Sequence, residues 1–130
     1  MNTGSNRAMN RNQAQGIIKA SIKDGTDVNT SRSTYRGVIA VDSIINSSRY
    51  WYPNSQCGFT VQIGQSSNIK IPWSMLEQCF AALSSPGGYD GTFFRKRFSL
   101  QADDHPCYVH VVGQIFVKAG IARAECNKYI

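Results

Sequence analysis

Asp104-His-Pro-Cys-Tyr-Val-His-Val-Val-Gly-Gln-Ile-Phe-Val-Lys-Ala-Gly-Ile-Ala122 is the longest apolar run of the chain, and whether it coils or extends decides the fold. As a helix, Asp104 would cap the start by accepting backbone N–H bonds that otherwise lack a partner. Pro106 suits a first turn, where its missing N–H costs nothing. Gly120 suits the position just past a helix end. Between them Tyr108, Val111, Val112, Ile115 and Ala119 recur at helical spacing, flanked by Val109 and Phe116. As a strand, Val109, Val111, Ile115 and Val117 would carry the β-branched content of a buried segment. The length of the run and its two end signals favour a helix over 106–119, with the strand left open. Either way the stretch is core, since each large side chain buried there contributes roughly 1.5–3 kcal/mol.

Just upstream, Asp90 is placed to cap a short helix through Phe98, with Phe94 and Phe98 on its inner side. Arg95, Lys96 and Arg97 spread around the rest of that helix, and Ser99–Asp103 reads as a loop. Before it, Leu76, Cys79, Phe80 and Leu83 fall at i, i+3, i+4 and i+7, an amphipathic signature for a helix over 72–84. Ser74 and Glu77 have capping-box spacing, and Ser84-Ser-Pro-Gly-Gly88 stops the helix.

The middle of the chain is β-rich. Tyr35–Val41, Arg49–Tyr52, Phe59–Ile63 and Ile69–Ile71 read as strands of an antiparallel meander. A helix over 13–23, capped by Asn12 and stopped at Gly25, competes narrowly with a strand there. Residues 1–11 are polar and Asn-rich and read as a disordered leader. The tail Ala122–Ile130 reads as a last strand or a frayed end.

The fold expected is a single α+β domain over 12–130, an antiparallel three- to four-stranded sheet packed against about three helices. Its core would be Ile18, Ile22, Val38, Val61, Ile63, Ile71, Leu76, Phe80, Leu83, Val112, Ile115 and Phe116.

A chain of 130 residues is one domain by ordinary priors and can bury a core without disulfides. No stretch approaches the roughly 20 apolar residues of a membrane span. The N-terminus lacks the apolar core of a signal peptide, which points to the cytoplasm. Cys57, Cys79, Cys107 and Cys126 are widely spaced and read as reduced thiols, mostly buried. The formal charge of +6 favours acidic partners such as nucleic acid.

The nearest approach to a metal motif is Asp103-Asp104-His105-Pro-Cys107-Tyr-Val-His110, in which Cys107 and His110 would share a helix face. Two ligands are too few, and no metal or cofactor is expected. Cys107 or Cys79 could pair with His110 as nucleophile and base, but no third orienting residue can be named, and burial as a small apolar group is the simpler role. The eight acidic residues are scattered, which disfavours nuclease and glycosidase chemistry. With no convergent catalytic set, a non-enzymatic role is expected.

Two basic-aromatic clusters stand out. Phe93-Phe-Arg-Lys-Arg-Phe98 sets three cations among aromatic rings, and Arg49-Tyr-Trp-Tyr52 puts an arginine beside three more. Cations neutralise phosphates and exposed rings stack on bases, so the first expectation is nucleic-acid binding. Arg95, Lys96 and Arg97 would hold phosphates with help from Arg49, while Tyr50, Trp51 or Tyr52 stacks. The plain alternative for the rings is core, with the cations solvated at the rim. The second expectation is an oligomeric or small-ligand-binding protein, a homodimer for preference, with Trp73, Tyr89 or the 50–52 rings lining a pocket or interface.

Ile71-Pro-Trp-Ser-Met-Leu-Glu77 and the run from His105 to Ala122 resemble, in style, small uncharacterised bacterial proteins carried on mobile elements such as integron gene cassettes. The resemblance covers roughly the last half of the chain and carries over no functional residue. It implies a bacterial origin, a compact α+β domain and an oligomer. The order strands, helix, short helix, longer helix also looks like a helix-turn-helix module, but 106–119 is too apolar to face a DNA groove.

Overall fold

A computed structural model describes residues 10–26, 28, 57–63, 67–126 and 128–130, together with the backbone pairing of 37–44. The decisive run coils. Helix α5 (Tyr108–Lys118) buries Tyr108, Val109, Val111, Val112, Gly113, Ile115 and Phe116. Its end is the expected one. Gly120 takes φ +77, its N–H donates to the Val117 carbonyl (3.0 Å), and the Ile121 N–H donates to the Phe116 carbonyl (3.0 Å). This crossed pair satisfies carbonyls that the helix leaves over, and it needs the left-handed backbone that glycine supplies cheaply.

The start of α5 corrects the expectation. Ser99–Asp103 is not a loop: Ser99–Asp104 is a helix, α4, and Asp104 is its last residue rather than the cap of α5. The cap position of α5 belongs to Cys107, which makes no side-chain cap bond. The cause is Pro106. A proline pushes the residue before it out of the helical region, and His105 is extended at φ −142, ψ 90. The chain must break at His105, which strands Asp104 on the upstream side.

Upstream of α4, helix α3 (Gly91–Arg97) has the predicted cap: the Phe93 N–H donates to Asp90 Oδ1 at 3.0 Å. Phe94 is fully buried, lies 5.1 Å from the Phe98 ring and stacks on Tyr108 at 5.6 Å. Helix α2 (Trp73–Leu83) buries Leu76, Cys79, Phe80 and Leu83 as the spacing predicted. Its capping box does not form. The helix begins at Trp73, with Pro72 in the cap position and no side-chain cap bond. Ser74 therefore lies inside the first turn, and Glu77 pairs instead with Arg11 at 3.2 Å.

Helix α1 (Arg11–Ser21) begins earlier than expected. Asn10, not Asn12, is its cap, and Asn10 and Gln13 form the reciprocal capping box. Asn10 and Arg11 thus belong to ordered structure rather than to the leader. Ala14, Ile18 and Ile22 are buried.

Strands β1 (Gly37–Ile44), β2 (Cys57–Gln62) and β3 (Asn68–Pro72) form an antiparallel meander in that order. Phe59 pairs with Ile71 and Val61 with Ile69, and all four are buried, so this face meets the core. On the other face Lys70 Nζ donates to Thr60 Oγ1 at 3.2 Å. The Tyr108 hydroxyl donates to the Lys70 carbonyl (3.1 Å) and ties α5 to β3.

The tail is ordered. Strands β4 (Tyr89–Asp90), β5 (Ala124–Glu125) and β6 (Lys128–Tyr129) make a second antiparallel sheet in the order β4-β6-β5. Tyr129 seats against α5 at Gly113, where a Cβ would lie 2.2 Å from two ring carbons. Only glycine permits that approach.

The described residues thus give an α+β arrangement of five helices and two three-stranded antiparallel sheets, more helices than the three expected and one sheet more. Buried side chains from both sheets and from the helices form one cluster. Of the expected core, Ile63 is only partly buried and Val38 lies outside the described side chains; the rest is buried. No helix among the described residues is long and apolar enough to cross a membrane.

Candidate functional site

Arg95, Lys96 and Arg97 form the last turn of α3, and all three are exposed. Cations suit that position, because the carbonyl end of a helix is electronegative. The ion pairs among the described residues, Arg11 with Glu77 at 3.2 Å and Arg123 with Glu125 at 3.0 Å, leave them out. Successive helical residues point about 100° apart, so the three do not converge. Arg97 Nε donates to the side-chain oxygen of Gln78 on α2. Arg95 folds back along its own helix, where a Cβ on Gly91 would lie 2.6 Å from Nη1 and 3.3 Å from Cζ. The glycine leaves the guanidinium room to lie across the first turn of α3.

That turn is one wall of an open cleft of about 800 Å³, lined by Asp90, Gly91 and Arg95 on the α3 side. The opposite wall is the break between α4 and α5, with Asp104, His105, Cys107 and His110. Both histidines of the chain line this one cleft. His110 Nδ1 lies 3.1 Å from the Tyr129 hydroxyl. Burial raises the Tyr129 phenol above its ordinary pKa, against a hydrogen bond with Gln114 that lowers it. The phenol therefore keeps its proton and can orient the imidazole. Across the core, Tyr89 is fully buried and its hydroxyl donates to the Val109 carbonyl at 2.9 Å. Tyr89 therefore cannot line a pocket or an interface, contrary to expectation.

Trp73 is half-buried: its ring lies 5.3 Å from that of Phe59, with Lys19 Nζ 5.7 Å from its centre. The second predicted cluster, Arg49, Tyr50, Trp51 and Tyr52, lies outside the described residues.

The thiols depart from expectation. Cys79 is buried, Cys107 is half-buried, and Cys57 and Cys126 are exposed. Burial pushes the Cys79 thiol up, against a smaller lowering by its hydrogen bond with Tyr89, so it is no nucleophile at neutral pH. Cys107 and His110 do share the cleft. Yet among the described residues no three His, Cys, Asp or Glu side chains are grouped to hold a metal ion.

The sequence reading found the cations and the two histidines but not the cleft. The signal was His105-Pro106: a pre-proline break there sets the His105–Cys107 corner against the start of α3. No protein-family model matches the chain, and no match is found among curated proteins or solved structures.

Proposed function

We propose that this protein binds nucleic acid without catalysing a reaction, in the cytoplasm, through a basic-aromatic surface centred on α3. The observation that carries this reading is the last turn of α3. It holds three consecutive exposed cations, none of them in an ion pair among the described residues, on a chain of formal charge +6. Their divergence suits contacts to successive phosphates along a backbone better than a grip on one phosphate. Arg49 assists and Tyr50, Trp51 or Tyr52 stacks on bases, as the sequence suggests. A homodimer would present the surface twice.

Fluorescence anisotropy with a labelled duplex and a labelled single strand tests it. Binding should weaken steeply with salt, because each neutralised phosphate releases counterions. In Arg95→Ala/Lys96→Ala/Arg97→Ala the salt slope on duplex should fall by roughly 2 to 3. Absence of binding at about 50 mM salt would sink the reading, as would binding untouched by the triple variant. A second reading, a small-ligand-binding protein, is favoured by the cleft, whose volume falls in the usual range for such sites.

A further inference from the structure

The geometry points to the cleft between α3 and the α4–α5 break as a binding site for a small polar metabolite bearing a carboxylate or phosphate, with Arg95 as its anchor. This deepens the small-ligand reading and shares only Arg95 with the nucleic-acid face. Three observations carry it.

First, the concavity measures about 800 Å³, within the usual range for a small-molecule site. Second, Arg95, though exposed, folds back along its own helix. Its guanidinium lies over Gly91, at a distance that any other residue there would contest, and so sits at the cleft wall. A guanidinium presents a planar fork of donors that matches an oxyanion with two parallel bonds. Third, both histidines of the chain stand on the opposite wall, and the Tyr129 hydroxyl holds one of them at 3.1 Å.

The remaining polar groups narrow the ligand. Asp90 and Asp104 also line the cleft. Asp90 already accepts the Phe93 N–H at 3.0 Å as the cap of α3. Two carboxylates repel a run of phosphates, but they can accept hydrogen bonds from hydroxyl or ammonium groups. The lining thus fits one oxyanion on a small body that also carries donors, and disfavours a polyanion.

Amide and imidazole NMR shifts of the labelled full chain decide the matter, with inorganic phosphate and glycolate, a monocarboxylate that also carries a hydroxyl donor, titrated separately to tell a phosphate site from a carboxylate site. The expected result is saturable movement of Gly91, Thr92, Arg95 and the His105–His110 signals with at least one of the anions. Arg95→Gln should weaken that binding about tenfold or more, the scale of a lost charge-assisted hydrogen bond. Gly91→Ala keeps the charge but pushes the guanidinium off the wall, and should weaken binding too. Lys96→Gln/Arg97→Gln should leave it unchanged while weakening nucleic acid, which separates this site from the polymer face. Shifts spread evenly over the exposed cations, shifts that never saturate, or an Arg95→Gln protein that binds both anions as the parent does would each overturn the proposal.

Discussion

Helices α3 and α5 lie against each other, yet they are built for opposite purposes. Helix α5 spans eleven residues and turns seven of them into the core. Helix α3 spans seven and fully buries one, Phe94. Helix α5 therefore holds the fold together, and every exposed position on α3 is available for something else. The same division appears at their starts. Asp90 gives α3 a side-chain cap, which a short helix with little burial needs, while α5 begins at Cys107 without one because its packing suffices. Stability and binding are thus assigned to different helices, and substitutions can pull them apart.

The largest effect should come from α5. Phe116 is fully buried and meets Phe80 and Tyr89 edge-on, with ring centres 6.4 and 6.2 Å away. Phe116→Ala should cost about 3–5 kcal/mol in urea unfolding, from lost burial and the cavity left behind. A loss under about 1 kcal/mol would mean that α5 is not the centre of the core.

Next comes alkaline pH. Burial raises the Cys79 thiol above its ordinary value of 9.0, and raises Tyr89 above 10.0 with help from neighbouring Cys79. A raised pKa means the folded state keeps protons that the unfolded chain releases. Their contribution is full below the unfolded pKa and is lost as pH climbs above it. Stability should therefore hold to about pH 8 and then fall by at least ~1.4 kcal/mol per pH unit once the unfolded thiol ionises. In Cys79→Ala the decline should begin later, near the tyrosine range. Equal alkaline slopes in parent and variant would show that Cys79 is not the cause.

Gly113 tests where the tail meets α5. A Cβ there falls 2.2 Å from the Tyr129 ring, so Gly113→Ala should displace the β5–β6 hairpin and cost about 1–3 kcal/mol. Combining it with Tyr129→Ala should give a total loss well short of the sum, because the clash is then gone. Simple additivity would place the strain elsewhere.

The α3–α5 contrast also explains what could be read in advance. The apolar stripes of α2 and α5, the Asp90 cap, the Gly120 stop and the strand runs of β2 and β3 are local patterns, and local physics settles them, although the alternation does not carry through β2, where Thr60 is buried between Phe59 and Val61. The errors share a different origin. Ser74–Glu77 has capping-box spacing, but a box needs the helix to start at Ser74, and strand β3 delivers the chain to Trp73 instead. Asp104 resembles a cap only if the pre-proline break is ignored. Tyr89 looks like a surface ring beside Gly87-Gly88, yet the β4–β6 pairing folds it under the tail, and that pairing spans forty residues of sequence. The cleft is the extreme case. One wall, the His105–Cys107 corner, follows from the local break before Pro106, but the placing of α3 against it comes from the packing of α3 on α5, which no pattern along the chain encodes.

The smallest effect is the most informative about α3. Arg95, Lys96 and Arg97 are exposed and outside ion pairs among the described residues, so removing them forfeits little packing. The favourable placement of cations at the helix end is worth only about 0.3–1 kcal/mol each at low salt and fades as salt screens it. Against that, removing three like charges relieves mutual repulsion on a chain of formal charge +6. The two terms oppose, and Arg95→Ala/Lys96→Ala/Arg97→Ala should unfold within about 0.5 kcal/mol of the parent in urea at moderate salt. Residues retained for stability would show a larger loss. A near-neutral result together with lost binding would leave recognition as the reason three cations stand side by side on so short a helix. A loss above about 1 kcal/mol would instead point to Arg97 bracing α3 on α2 through Gln78, and Arg97→Ala alone would then reproduce it.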